Sequence, residues 1–148
     1  MLAYLDICCL KRPFDDLAQD RIRIESEAVL CILNASPDRI ELLHLAAQDV
    51  ENDRNPLEWR ADRTRQLLQS WRVVTLDEEP LLARTRELIE VGFRNFDALH
   101  LASAELARAD VFVTCDDRLL AAASRNEKQL SLSTRVVNPI TLVGELEA

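Results

Sequence analysis

Short apolar runs alternate with stretches of helical period along the chain, and this alternation limits the fold more than any other feature of the sequence. Residues 2–7, 40–45, 72–76, 111–114 and 135–137 read as strands, brief and largely apolar. Between them the apolar spacing predicts helices over 20–35, 46–54, 57–70, 79–91, 97–109 and 116–125, and Pro139 opens a last one. Pro37-Asp38-Arg39 breaks the first of these helices. Gly92, one of only two glycines, stands where the helix beginning at Glu79-Pro80 needs a left-handed cap. Repeated strand–helix units make successive strands parallel and cover the sheet with helices, so an α/β fold with a mainly parallel sheet is expected. The 148 residues suit a single domain spanning 1–148.

Acids mark the ends of the apolar runs. Asp6 closes Leu2-Ala3-Tyr4-Leu5, Asp116 follows Val111-Phe112-Val113-Thr114-Cys115, and Asp97 opens Asp97-Ala98-Leu99-His100-Leu101-Ala102. In an open parallel sheet the carboxyl ends of the strands and the starts of the next helices face one crevice, where ligands bind. Crowded carboxylates repel one another and resist ionising unless a cation joins them, so the pattern points to a divalent metal. Asp97 and Asp116 also stand at predicted helix starts, where aspartate caps free N–H groups, and both roles are open to each. Asp6 is different, because a carboxylate on an apolar strand is costly to bury without a charged or metal partner. His100, three residues after Asp97, shares its helix face and can either pack or support an acid. His44, in an apolar strand, is expected to be a core residue with a satisfied ring.

Composition and spacing exclude several chemistries. Two glycines cannot build a phosphate-cradling P-loop or a dinucleotide-binding turn. His44 and His100 are the only histidines, and neither stands in a nucleophile motif. An aspartyl-nucleophile phosphohydrolase would need a second aspartate two residues after Asp6, where Cys8 stands. Cys8, Cys9, Cys31 and Cys115 lack the C-x-x-C spacing of a zinc site, so reduced, mostly buried thiols are expected, without zinc. A net charge of −8 argues against a broad basic grip on nucleic acid. A local grip is open to Arg54, Arg60, Arg63, Arg65 and Arg72, or to Lys11 and Arg12 after the first strand, although a solvated helix face accounts for the 60–65 group. No apolar run approaches the roughly 18 residues that cross a membrane, and the start lacks the basic flank of a secretion signal. The expected location is the cytoplasm. What remains is carboxylate chemistry, in which divalent ions held by acids act on a phosphodiester without a covalent nucleophile.

Three segments together carry a family resemblance: Leu5-Asp6 after the first strand, Phe96-Asp97-Ala98-Leu99-His100-Leu101-Ala102-Ser103-Ala104, and Val113-Thr114-Cys115-Asp116-Asp117-Arg118-Leu119. They resemble the PIN-domain family, especially its small VapC-like toxin ribonucleases, and Val137-Asn138-Pro139-Ile140 is similar to the close of many such chains. The likeness extends over nearly the whole chain. It implies a three-layer α/β/α sandwich with a mainly parallel central sheet, and an endoribonuclease that uses Mg²⁺ or Mn²⁺. Carried over by motif, Asp6 matches the first acid, Asp97 the third and Asp116 the fourth. The second acid, a glutamate in the helix after the second strand, matches Glu51, with Asp49 and Asp53 as competing carboxylates. The chain departs from the pattern at Ala46-Ala47, where a serine or threonine often precedes that helix, and in its Cys8-Cys9 pair. Asp49 and Asp53 share a helix face, and Glu51 points about 200° away from each, so only one set can look at the pocket.

The T-x-D turn makes Asp116 the acid of its pair and leaves Asp117 facing solvent. Thr114 is placed to hydrogen-bond an acid or a water, and Arg12 or Arg54 to hold a flanking phosphate. The same resemblance implies RNA as substrate, a small antitoxin protein as partner, and a homodimer. The rival reading is a non-catalytic PIN-like module that binds RNA or protein, and the retention of all four motif-matched acids weighs against it.

Overall fold

The computed structural model describes residues 1–148. The chain runs β1 (Leu2–Leu5), α1 (Ile7–Lys11), a 3-10 turn over Arg12–Phe14, α2 (Asp20–Leu33), β2 (Glu41–His44), α3 (Ala46–Asn52) and α4 (Glu58–Gln69). It continues through β3 (Arg72–Val73), α5 (Glu78–Glu90), α6 (Asn95–Leu106), β4 (Val111–Val113), α7 (Asp117–Leu130), β5 (Arg135–Val137) and α8 (Pro139–Glu147). The strands form one parallel sheet in the order β3-β2-β1-β4-β5. β1 pairs with β4 through Ala3–Val111, Tyr4–Phe112 and Leu5–Val113, and with β2 through Leu2–Glu41 and Ala3–Leu42.

Alternation along the strands builds both cores. Tyr4 and Phe112 point to one face, where their rings stack with centroids 5.3 Å apart and meet Leu88, Leu101 and Leu119 of α5, α6 and α7. Ala3, Leu5, Val111 and Val113 point to the other face and meet Val29, Ile32, Leu68 and Leu142 of α2, α4 and α8. Each large apolar side chain buried this way contributes about 1.5–3 kcal/mol relative to exposure, which fixes the strand register as well as the layers. The result is the expected α/β/α sandwich. From β1 the chain first moves to β2 on one side and only later to β4 on the other, so a crevice opens above the carboxyl ends of β1 and β4.

Local differences from the sequence reading have physical reasons. β1 stops at Leu5, because Asp6, still extended (φ −64°, ψ 147°), is the N-cap residue of the unforeseen helix α1, and its carbonyl accepts the Cys9 N–H at 2.9 Å. Ile7, Cys9 and Leu10 are all buried in that helix, so its sequence looked like a continuing apolar strand. Helix α6 begins at Asn95 and places Asp97 inside the first turn without a capping bond. Helix α7 runs beyond Arg125 to Leu130 and ends where Ser131 takes φ 49°. Gly92 adopts φ +112° just past α5, and a Cβ there would meet open space, so the demand for glycine is conformational. No helix is long and apolar enough to cross a membrane.

Candidate metal centre

Asp6 is held at the crevice by backbone and side chain together. Its N–H donates to Val113 O at 2.9 Å, continuing the β1–β4 ladder, and its Oδ2 accepts the Thr114 hydroxyl at 2.8 Å and the Cys8 thiol at 3.4 Å. The Thr114 oxygen in turn accepts the Asp116 N–H at 3.1 Å, tying the turn after β4 to the end of β1. Asp6 is only 6% exposed, and its hydrogen-bond partners are neutral. Burial therefore pushes its carboxyl well above the usual aspartate range; Cys8 and Glu51 add to the rise, while His100 and Thr114 oppose it.

Glu51 reaches the same place from α3. Gln48 fixes that helix: its Oε1 accepts the Leu45 N–H at 2.9 Å, and its Nε2 donates to Leu5 O at the end of β1, also at 2.9 Å. The competing acids are engaged elsewhere. Asp49 pairs with His44 Nε2 at 2.8 Å, and Asp53 lies 3.4 Å from Arg65. Glu51 Oε2 stands 3.4 Å from His100 Nε2. Burial acts upward on the Glu51 carboxyl, but His100 and Lys11 outweigh it and hold the group below its ordinary value.

His100 is fully buried on α6, with Nδ1 2.5 Å from the Tyr4 hydroxyl and its ring against Phe96. Its Nε2 has no hydrogen-bond partner, since 3.4 Å to Glu51 is an ion-pair separation. Burial acts downward on the ring, but Glu51, Asp6 and Asp97 together raise its pKa. Ligand atoms of Asp6, Glu51 and His100 lie within 4.8 Å of one another. Asp97, one turn before His100, makes no hydrogen bond through its carboxylate; burial and then the like charge of Asp116 raise its pKa. Asp116 caps α7 through Oδ1, which accepts the N–H groups of Arg118 at 2.9 Å and Leu119 at 3.4 Å. Capping fixes this carboxylate and leaves Oδ2 free of protein donors, so the two roles weighed for Asp116 are compatible.

Arg12 and His44 depart from the sequence expectation, and Arg54 and Asp117 do not. Arg12 is not free for a phosphate: it donates to Glu25 and Asp15, each at 3.2 Å. Arg54 has no acidic partner and lies over the Phe96 ring at 4.9 Å. His44 is an acid-paired residue with an unpartnered Nδ1, so its ring is not satisfied as expected. Asp117 faces solvent and forms a bidentate pair with Arg21 at 2.6 and 2.7 Å, as the turn implied. His100 is the residue that sequence reasoning undervalued; its spacing from Asp97 was the available signal, while Tyr4 gave none.

The donor set fits a hard divalent ion. Carboxylate oxygens dominate it, which suits Mg²⁺ or Mn²⁺, and both the buried Asp6 carboxylate and the orphaned His100 Nε2 lack a charge-matched hydrogen-bond partner. No curated protein sequence matches the chain. The family model described as the PIN domain matches residues 3–125, a span that takes in Asp6, Glu51, Asp97 and Asp116, and the chain belongs to the PIN domain family.

Proposed function

We propose that this protein is a metal-dependent endoribonuclease of the VapC-like kind, with Asp6, Glu51, Asp97 and Asp116 holding Mg²⁺ or Mn²⁺. PIN domains are generally metal-dependent nucleases that act on nucleic acid. One observation carries the reading to this chain: Asp6 is buried against neutral donors, with Glu51 and His100 within 4.8 Å. A bound divalent ion would neutralise phosphate charge and acidify a water molecule for in-line attack.

The chain's own residues position and confine that chemistry. Thr114 fixes the Asp6 carboxylate and the backbone of Asp116 with one hydroxyl. His100, held by Tyr4, lies 3.4 Å from Glu51 Oε2 and close to Asp6, where its ring would balance their charge. Arg54, free of acids, is the residue assigned to a flanking phosphate. RNA as substrate, a small antitoxin protein over the acidic pocket, and a homodimer complete the proposal; these rest on the motif resemblance.

Cleavage of RNA by the purified protein with Mn²⁺ or Mg²⁺ tests it. Glu51→Gln should lose cleavage and metal binding and keep its fold, whereas the Asp49→Asn, Asp53→Asn double variant should stay active. Absence of cleavage in the wild type would favour the non-catalytic binding module, and metal-insensitive cleavage would overturn the metal centre.

A further inference from the structure

Three of the four cysteines converge, although no spacing in the sequence announces it. We propose that Cys8, Cys9 and Cys115 form a site for one thiophilic divalent ion of the zinc and cadmium kind, placed so that its occupancy shuts the acidic centre. The inhibitory half rests on the nuclease reading; the ion site does not.

Cys8 and Cys9 are neighbours in α1, and Cys115 follows β4 more than a hundred residues later, yet their sulfurs all lie within 4.8 Å of one another. Cys9 and Cys115 are buried, Cys8 is half-buried, and none is in a disulfide. The Cys9 and Cys115 sulfurs are 3.8 Å apart. Zinc–thiolate bonds of about 2.3 Å at a tetrahedral angle separate two sulfurs by about 3.8 Å, so these two need little movement. Cys8 Sγ already accepts the Cys115 N–H at 3.3 Å, the kind of backbone bond that supports a metal-bound thiolate. A disulfide would use two of the sulfurs and leave the third idle, whereas a soft ion uses all three. Mg²⁺ and Mn²⁺ prefer oxygen, so the two neighbouring donor sets select different ions.

Cys8 joins them. Its sulfur is 3.4 Å from Asp6 Oδ2 and 3.4 Å from Thr114 Oγ1. Turning Cys8 onto an ion breaks its contact with Asp6 and sets an ion with one open coordination position beside that carboxylate. Asp6 is then the oxygen best placed to complete four-coordination, and it is drawn off the nuclease centre.

The test titrates reduced wild-type protein with Cd²⁺ without oxygen and follows the thiolate-to-cadmium charge-transfer absorption, to which carboxylate ligands contribute nothing. A band saturating at about one equivalent is expected. It should persist in Cys31→Ser and Asp6→Asn and fall to about a third or less in the Cys9→Ser, Cys115→Ser double variant, which keeps one thiolate of three. If the double variant fails to fold, Cys9→Ala should still lose about a third of the amplitude, one thiolate of three. No band in the wild type, a band abolished by Cys31→Ser, or an undiminished band in Cys9→Ala overturns the site. In a second arm, equimolar Zn²⁺ should stop Mn²⁺-supported RNA cleavage, and Cys9→Ser should need roughly tenfold more Zn²⁺. Equal Zn²⁺ sensitivity of the two proteins overturns the inhibitory coupling. Absence of cleavage without Zn²⁺ counts against the nuclease reading, and the cadmium band decides the ion site by itself.

Discussion

Two carboxylates are almost wholly withdrawn from water, and the fold treats them in opposite ways. Glu25, 0% exposed, receives Arg12 Nε at 3.2 Å and Asn138 Nδ2 at 2.7 Å, with Arg21 Nε at 3.4 Å. Asp6, 6% exposed, receives only a hydroxyl and a thiol. The first is neutralised by the chain and ties α2 to the turn after α1 and to the start of α8. The second is positioned with comparable care, yet its charge is left for something from outside. Burial alone therefore does not mark a functional acid; burial without a cationic hydrogen-bond partner does.

Exchanging each acid for its amide gives the largest contrast. Asp6→Asn should abolish Mn²⁺-supported RNA cleavage and leave the metal-free fold at least as stable, because a neutral amide relieves a buried charge. Glu25→Gln should cost about 1.5–3 kcal/mol in denaturant unfolding, the usual result of losing hydrogen bonds to a buried charged group, while the folded fraction still cleaves. Equal losses of stability in the two variants would erase the distinction.

Metal ions sharpen it further. Mn²⁺ at a hundredfold excess over its dissociation constant should stabilise wild type by about 2.7 kcal/mol. Glu25→Gln should gain a similar increment from its lower baseline, and Asp6→Asn little or none. Below that in size stands Thr114→Val, which frees the Asp6 carboxylate without removing it. A fall of roughly tenfold to a hundredfold in metal affinity or cleavage is expected, with a loss of about 1–3 kcal/mol in unfolding from the hydrogen bonds that go unmade. Full activity in this variant would remove Thr114 from the proposed positioning role.

The smallest effect is on pH dependence. Folding raises the Asp6 pKa, so the native state holds that proton more tightly than the unfolded chain does. The resulting stability is complete below the unfolded aspartate value and is lost as pH rises through the raised one. Without metal, wild type should lose stability toward neutrality relative to Asp6→Asn, by less than about 1.4 kcal/mol per pH unit. Saturating Mn²⁺ should cancel the decline, since the ion favours the ionised carboxylate. Parallel stability curves for the two metal-free proteins would contradict the uncompensated state of Asp6.

Strand–helix alternation made the sheet and its cover legible, because both periods are properties of local sequence. Helix α1 was not legible, since Ile7, Cys9 and Leu10 are buried and a short buried helix has the composition of a strand. The three aspartates could be proposed as ligands from their places at strand ends and helix starts. Choosing Glu51 over Asp49 and Asp53 depended on resemblance, and the fold supplies a physical reason: His44 and Arg65 occupy the rivals. Arg12 shows the opposite limit. A basic residue after the first strand suggests a phosphate until Glu25, thirteen residues on and fully buried, claims it.

The pairing of β1 between β2 and β4 also sets an order of assembly during synthesis. Asp6 leaves the ribosome more than a hundred residues before its partners, since the backbone bond that seats it comes from Val113 and the hydroxyl that orients it from Thr114. Contacts so distant along the chain close late, after the intervening helices exist to bring them together. A growing chain that has made β1, β2 and α3 carries Asp6 and Glu51 and still lacks Asp97, Asp116 and the strand that aligns them. For a protein proposed to cut RNA, this topology delays the cutting machinery until the chain through Asp116 has been made.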